Sequence, residues 1–205
     1  MRKVKKSCSE LKREAIIEAA KKAFIEDGVK GTSMDKLSEL AQVSKRTVYN
    51  HFATKEALVM HIISDLWRQA TVQININYQQ DTPLAEQLET LLLAEARLLC
   101  SQDYLDLSRV AFGHFFYSPD ELKKEMEKFS AQETALYRWL KEAKEDGKLT
   151  IRDIEFANSQ LHNLVKGSCF WPQLLQIQPI LNEGQLKRIA SETAALFLSH
   201  NEAKG

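Results

Sequence analysis

Apolar residues recur three or four positions apart along most of this 205-residue chain, which is the spacing of amphipathic helices. No run of alternating apolar and polar residues is bounded by hairpin turns. Seven Gly and four Pro leave few breaks, so long helices with short connections are expected. The pattern predicts an all-α protein with about nine helices.

The stretch from residue 33 to 52 predicts two short helices separated by a tight turn. Apolar positions such as Leu37 and Val48 recur at helical spacing, and Ser33 and Ser44 stand where an N-cap is preferred. Helices this short are not stable alone, so they must lock together through their apolar faces. The stretch therefore predicts a helix-turn-helix unit, with a first helix over 9–27 packed behind it.

The polar face of the second short helix is the candidate functional surface. Lys45 and Arg46 fall in its first turn, where the helix dipole disfavours a cation by about 0.3–1 kcal/mol. A DNA phosphate or a guanine edge would remove this conflict, and the same argument applies to Lys55 at the start of the next helix. An ordinary helical hairpin with a charged face is the alternative. The candidate DNA-binding residues are Ser33, Ser44, Lys45, Arg46, Thr47, Tyr49, Asn50, His51 and Lys55.

These positions also carry a family resemblance. The chain resembles the DNA-binding domain of the TetR/AcrR family of bacterial regulators over about residues 10–58. Family members usually have Gly where this chain has Gln42, Ala where it has Ser38, and often Gly where it has Arg46. A left-handed conformation at Gln42 would cost about 1 kcal/mol or more. The matching segments are Gly31-Thr32-Ser33, Leu37, Ala41, Val43-Ser44-Lys45, Tyr49-Asn50-His51-Phe52 and Lys55-Glu56-Ala57-Leu58.

The charge of the chain is zero overall but unevenly distributed. Residues 1–55 hold 13 Lys and Arg against seven Asp and Glu, whereas the remainder holds 15 against 21. A basic N-terminal part followed by an acidic remainder is expected where a DNA-binding domain is joined to a domain that does not bind DNA. We therefore predict a helix-turn-helix DNA-binding domain over 1–54 and a helical regulatory and dimerisation domain over 55–205.

Six further helices are predicted in the second domain. The first runs from Thr54 towards Tyr78 and links the DNA-binding head mechanically to the body. The next begins with Pro83 at its first helical position. The others cover 103–114, 118–147, 154–176 and 182–201.

This body resembles the AefR-like group of the same family, through residues 132–149 and 164–172. The resemblance implies a homodimer in which the last two helices of each subunit form a four-helix interface. A dimer is also what a palindromic operator in double-stranded DNA requires. The apolar residues available for this interface are Phe156, Leu161, Leu164, Val165, Leu186, Ile189, Ala190, Ala194, Phe197 and Leu198.

Aromatic residues concentrate in the middle helices, where a sensory pocket is expected. Little buried charge is evident there, so the effector predicted is small, lipophilic and uncharged or weakly charged. The alternative for each aromatic residue is a place in the core. The candidate ligand-binding residues are Trp67, Phe112, Phe115, Phe116, Tyr117 and Trp139.

Several other classes of protein are excluded by the sequence. No Gly-rich phosphate loop, nucleophile elbow or His-Glu-x-x-His motif is present, so no enzyme is predicted. The three cysteines, Cys8, Cys100 and Cys169, match no metal spacing and read as free thiols, and no metal or cofactor is expected. The absence of a signal peptide and of a long apolar run predicts a cytoplasmic protein with no membrane partner.

The function that fits these features best is a ligand-responsive DNA-binding transcriptional regulator. The resemblance implies a repressor that a small lipophilic effector releases from its operator. A DNA-binding protein of the same fold, controlled by protein partners and without a small-molecule effector, is the alternative.

Overall fold

The computed structural model describes residues 7–68, 76–115, 120, 123, 127 and 133–203. The described residues form ten α-helices and no strand, which confirms the all-α prediction. One isolated antiparallel bridge joins Leu149 to Glu202. The helices are α1 Cys8–Gly31, α2 Met34–Leu40, α3 Lys45–His51, α4 Lys55–Trp67, α5 Leu84–Leu99, α6 Gln102–Phe115, α7 Ala135–Glu145, α8 Ile154–Cys169, α9 Trp171–Leu174 and α10 Glu183–Asn201.

The chain divides into two compact units. The first comprises residues 1–65 and 106–126, and the second comprises residues 66–105 and 127–205. Helix α4 therefore belongs to the first unit through Asp65 and to the second from Leu66. Helix α6 crosses between the units at residues 105 and 106.

Helix α1 starts at a capping box. The Ser7 hydroxyl accepts a hydrogen bond from the backbone of Glu10, and the Glu10 carboxylate accepts one from the backbone of Ser7. Ile16 and Phe24 on its inward face are fully buried. Gly28 interrupts the helix with a φ of 71°, and a last helical turn follows as far as Gly31. The predicted stop at Gly28 is therefore an interruption rather than the end of the helix.

The sequence predicts that the helix starting at Thr54 continues towards Tyr78. Helix α4 covers Lys55–Trp67, residues 69–75 lie outside the described residues, and residues 76–79 are not helical, so the prediction is wrong at Tyr78. Tyr78 donates from its hydroxyl to the Asp146 carboxylate at 2.6 Å.

Two other predicted helices are divided in the structure. Glu133 and Thr134 are not helical, and the Thr134 hydroxyl caps α7 by accepting from the backbone of Tyr137. The predicted helix over 118–147 is therefore wrong at this point. Phe170 breaks the predicted helix over 154–176, because Pro172 cannot continue the helical hydrogen bonds of α8. Pro83 is the N-cap of α5 rather than its first helical residue.

The core of the second unit lies where α5, α8 and α10 pack together. Most of the residues that the sequence offered for a dimer interface belong to this core. Phe156 is 61% exposed and Leu164 is 40% exposed, and Leu196, which the prediction omitted, is 60% exposed. The residues buried within the subunit are Leu161, Val165, Leu186, Ala190, Ala194, Phe197 and Leu198.

Candidate nucleic-acid interface

The turn between α2 and α3 has the geometry of a helix-turn-helix. The Ser33 hydroxyl accepts from the backbone of Lys36 at 3.0 Å, and the Ser44 hydroxyl accepts from the backbone of Thr47 at 3.2 Å. Each predicted cap therefore satisfies a backbone donor that the helix itself leaves unpaired. Gln42 adopts a φ of 53°, so the left-handed position of the turn is occupied by a residue with a Cβ.

The apolar side of this unit fixes the direction in which α3 faces. Leu37 and Val48 are fully buried and Phe52 is 6% exposed, and α1 packs against both α2 and α3. With Val48 inward, the positions around it on α3 must face away from the core. This places the polar side of α3 at the surface, as the sequence predicts for a recognition helix.

The predicted DNA-binding residues of α3 lie on that exposed side. Lys45, Arg46, Tyr49 and Asn50 are exposed, while Thr47 and His51 are half-buried. Among the residues that the structure describes, neither Arg46 nor Asn50 forms a side-chain hydrogen bond or ion pair. An external ligand can therefore bind these two side chains without breaking a hydrogen bond or ion pair within the described part of the protein.

Three of the candidate side chains on this surface, Ser44, Lys45 and Thr47, already have polar partners. The hydroxyls of Ser44 and Thr47 lie 2.8 Å apart and share a hydrogen bond. The Lys45 ammonium is 2.7 Å from the Asp35 carboxylate, with both side chains more than half exposed. This hydrogen bond and the charge of Asp35 raise the pKa of Lys45, so Asp35, which the sequence argument passed over, is part of the same surface.

Lys55 is engaged within the protein. Its half-buried ammonium donates to the backbone carbonyls of Val29 and Thr32, each at 2.6 Å. The phosphate contact predicted from the sequence therefore competes with two short internal hydrogen bonds. Separations of 26 and 23 residues put these contacts beyond any local sequence signal.

An aromatic cluster that sequence reasoning missed lies in the same unit. The Arg13 guanidinium stacks over the Phe52 ring, 5.0 Å from its centroid, and Nη2 of Arg13 is 3.1 Å from Nε2 of His61. The rings of Phe52 and His61 are 5.5 Å apart. Because Phe52 ends α3, these contacts hold the recognition helix to α1 and α4.

The predicted effector-binding residues do not form one described group. Trp139 is 1% exposed, and its indole donates to Gln87 Oε1 at 3.1 Å, so it is part of the core. Phe112 is 37% exposed. Phe116 and Tyr117 lie outside the described residues, as does the side chain of Phe115.

Among the predicted effector residues that the structure describes, Trp67 lies beside a polar cluster. Its ring is 5.7 Å from the ring of His162, and the Lys166 ammonium lies over it at 5.1 Å. Nδ1 of His162 donates to both oxygens of the buried Glu95 carboxylate at 2.7 Å. The sequence placed Glu95 in an apolar stripe and gave no sign of this partner, 67 residues away.

The described residues offer neither a metal site nor a membrane-spanning helix. Within the described ranges, no group of three His, Cys, Asp or Glu side chains is placed to hold a metal ion. Burial, followed by the charges of Cys100 and Glu95, raises the pKa of the Cys169 thiol to about 12. No helix in the described part of the chain combines the length and apolarity needed to cross a membrane.

Two family models match the chain. Residues 16–62 match the model for bacterial regulatory proteins of the tetR family. Residues 86–201 match the model for the C-terminal domain of AefR-like transcriptional repressors. The first match covers the helix-turn-helix, and the second covers most of the helical body.

Curated relatives and a solved structure agree with these matches. The chain is 32% identical over 83 residues to the uncharacterized HTH-type transcriptional regulator YhgD of Bacillus subtilis (strain 168), covering 40% of this chain and 44% of that protein. It is 30% identical over 141 residues to the HTH-type transcriptional regulator RutR of Escherichia coli (strain K12), covering 65% of this chain and 64% of that protein. It thus spans less than two thirds of either relative. A TetR family transcriptional regulator from Pseudomonas syringae pv. tomato str. DC3000 superposes with a TM-score of 0.76 at 34% identity, over 95% of this chain and 99% of that chain.

Proposed function

The chain belongs to the TetR family of bacterial regulatory proteins, DNA-binding transcriptional regulators, and we propose that it is a repressor that binds a palindromic operator as a homodimer and is released by a small lipophilic effector. One observation carries the proposal. A short helix capped by Ser44 presents Arg46 and Asn50 to solvent, and neither side chain has a hydrogen-bond or ion-pair partner within the described part of the chain.

The residues of α3 divide into two roles in this proposal. Arg46, Thr47 and Asn50 read base edges in the major groove, where an Arg recognises guanine and an Asn recognises adenine by paired hydrogen bonds. Lys45, Tyr49 and His51 contact phosphates, while the capped helix starts at Ser33 and Ser44 offer backbone donors to the same strands. Such contacts fix the register of the helix on the duplex.

The homodimer is supported by apolar surface that the subunit leaves uncovered. Phe156 and Leu164 on α8 and Leu196 on α10 are 61%, 40% and 60% exposed. Large apolar side chains on two neighbouring helices favour burial against a second copy. Two recognition helices then meet half-sites about 34–36 Å apart, one turn of DNA.

The effector proposal rests on the position of Trp67 at the C-terminal end of α4. Helix α4, which follows the recognition helix in the chain, ends at Trp67. The ring of Trp67 contacts the ring of His162 and the ammonium of Lys166. An effector that displaces Trp67 acts on the helix that carries Lys55 at its other end. The burial of Trp139 removes one side chain from the predicted pocket and favours the alternative of control by a protein partner.

Selection of bound fragments from a random DNA pool tests the DNA-binding part of the proposal. We expect a palindromic site and an affinity that falls as the salt concentration rises, because cations such as Lys45 and Arg46 from both subunits release counterions from the DNA. A flat salt response, or enrichment of single half-sites, would refute the dimer on a palindrome.

Titration of the selected duplex with and without lipophilic compounds tests the effector. A compound that lowers DNA affinity about tenfold must bind the DNA complex about tenfold more weakly than the free protein. If compounds that bind the protein leave DNA affinity unchanged, control by a protein partner takes the place of the inducible repressor.

A further inference from the structure

We propose that the effector is an aromatic carboxylic acid, bound by Trp67 and by a row of three polar side chains on α8. Asn158, His162 and Lys166 follow one another at intervals of four residues, so they lie on successive turns along one side of the helix. The inference rests on the effector control proposed above and names the chemical class of the ligand. A general lipophilic compound is thereby replaced by one with an aromatic ring and a negative charge.

Each side chain of this polar row has a polar atom without a partner in the described part of the chain. The Asn158 amide makes no hydrogen bond there, and its Oδ1 is buried. The half-buried Lys166 ammonium has neither an ion-pair nor a hydrogen-bond partner among the same residues. His162 uses Nδ1 towards Glu95, and no described group is hydrogen-bonded to its Nε2. Buried polar atoms in native proteins are rarely left unpaired, so the row points to a ligand.

Glu95 orients His162 for an anion. The Glu95 carboxylate is 4% exposed, and both of its oxygens lie 2.7 Å from Nδ1 of His162. Nε2 is therefore on the side of the ring turned away from Glu95, and the Lys166 ammonium follows one turn later. An imidazolium donates from both nitrogens, so a carboxylate beside Nε2 and the ammonium receives a donor from each. The two cations then balance Glu95 and the ligand, and no charge in the site lacks a counter-charge.

Trp67 supplies the aromatic part of the site. Its ring lies 5.7 Å from the ring of His162, and the Lys166 ammonium lies over it at 5.1 Å. A cation–π contact at a partly exposed site is weaker than a charge-assisted hydrogen bond. A carboxylate therefore draws the ammonium away, and a flat aromatic group can take its place over the ring of Trp67. The acidic and the aromatic character of the ligand thus follow from the same two side chains.

Asn158 lies at the other end of the polar row. Eight residues separate it from Lys166, a rise of about 12 Å along α8. A hydroxyl on the ligand, opposite its carboxylate, can donate to the amide oxygen or accept from the amide nitrogen. The amide makes no hydrogen bond within the described residues, so its burial destabilises the protein without a ligand. Asn158→Ala should therefore raise stability while it removes a ligand contact.

The test uses three probes with the full-length protein: 6-hydroxy-2-naphthoate, 2-naphthoate and the neutral 6-hydroxy-2-naphthamide. The variants are Lys166→Met, which removes the charge, Lys166→Arg, which keeps it, and Asn158→Ala. Lys141→Met is the matched control, because Lys141 is exposed on α7 and has no ion-pair partner among the described residues. Urea unfolding at one protein concentration gives the stability of each variant, and isothermal titration calorimetry gives its affinity for each probe.

We expect the hydroxylated acid to bind the unchanged protein about tenfold or more tightly than the amide of the same shape. Lys166→Met should weaken the acid about tenfold and leave the amide within about twofold, whereas Lys166→Arg should keep most of the affinity for the acid. Asn158→Ala should raise the urea midpoint and abolish the preference for the hydroxylated acid over 2-naphthoate. Lys141→Met should bind every probe like the unchanged protein.

Three results would overturn the inference. Equal or tighter binding of the amide would mean that the site takes an uncharged ligand. Equal loss of acid and amide in Lys166→Met would make Lys166 a structural residue, and a protein that binds none of the three probes has no such site. Failure of the proposed effector control gives a different result. In that case the acid binds with the expected pattern, but saturation with it leaves the affinity for the selected duplex unchanged.

Discussion

Replacing His162 by Leu should destabilise the protein far more than replacing Glu95 and His162 together. The side chains are only 12% and 4% exposed for His162 and Glu95, and Nδ1 of His162 lies 2.7 Å from the carboxylate. His162→Leu leaves a carboxylate buried without its partner. The double variant Glu95→Leu with His162→Leu removes both polar groups and leaves an apolar contact between α5 and α8.

The expected magnitudes follow from the burial of the pair. Leaving one partner of a buried hydrogen bond unsatisfied costs about 1–3 kcal/mol in the free energy of unfolding, and more where that partner is charged, whereas apolar replacement of both partners can be nearly neutral or stabilising. The coupling energy between the two positions should therefore be at least about 2 kcal/mol. Each single variant should therefore be less stable than both the unchanged protein and the double variant.

Urea unfolding followed by far-UV circular dichroism measures the four proteins of this cycle. One protein concentration must be used throughout, because dimerisation makes apparent stability depend on concentration. The exposed pair of Arg97 and Glu183 provides the control cycle, with side chains 53% and 50% exposed. Water screens that pair, so its coupling should be far smaller.

The reasoning is refuted if the cycle for Glu95 and His162 gives a coupling below about 0.5 kcal/mol, the value for independent sites. Such a result would mean that water or another group satisfies Glu95 when His162 is removed. It would also mean that Glu95 does not fix the position of the His162 ring, which lies 5.7 Å from the ring of Trp67.

Three further predictions concern single residues. Arg46→Ala should cost about 1–3 kcal/mol on the selected duplex and relax the preference at one base pair per half-site in a repeated selection; equal losses on scrambled DNA would contradict its role as a base reader. Gln42→Gly should raise the urea midpoint, because relief of a φ of 53° is worth about 1 kcal/mol, whereas Lys12→Gly in the regular part of α1 should lower it. Burial and then the hydrogen bond to Asp146 raise the pKa of Tyr78 from 10.0 to about 12. The neutral phenol therefore stabilises the folded state fully below pH 10, and this contribution to the free energy of unfolding is lost as the pH rises to about 12. Unfolding free energies measured across that range should fall less steeply for Tyr78→Phe, and equal slopes would contradict the assignment.

The helix-turn-helix was predictable because its signals are local. Both caps act within three residues, and the positions of Leu37 and Val48 follow directly from helical spacing. Gln42, where family members usually have Gly, left the geometry of the turn open in the sequence, and the structure has a left-handed residue there. The caps and the apolar spacing depend on neighbours in the chain, which is why the sequence shows them.

The helices of the second unit were less predictable, because an apolar stripe on a helix does not show which element it packs against. The stripe of α10 was assigned to a second subunit, yet Phe197 and Leu198 are buried within the subunit where α10 packs on α5. Apolar periodicity also continues across the breaks at Thr134 and Phe170, so the two divided helices read as continuous. The local signals at these breaks are the ring of Pro172 and the hydroxyl cap of Thr134, and the apolar pattern shows neither.

The polar contacts between residues far apart in the chain are the least visible in the sequence. Lys55 is 26 residues from Val29, and His162 is 67 residues from Glu95. The helix dipole correctly identified Lys55 as a charge in need of a partner. It did not distinguish a DNA phosphate from the carbonyl end of another helix, because both carry negative charge.

Helix α4 is fixed by polar contacts at both ends. Lys55 donates to two carbonyls of the first unit, and Trp67, 12 residues on, contacts His162 and Lys166 of the second. Helix α4 has 13 residues, and neither Pro nor Gly is among them. Under the proposed effector control, a ligand changes DNA affinity only by as much as it discriminates between two positions of Trp67, so the hydrogen bonds of Lys55 at the other end of the helix are the contacts at which such control is to be tested.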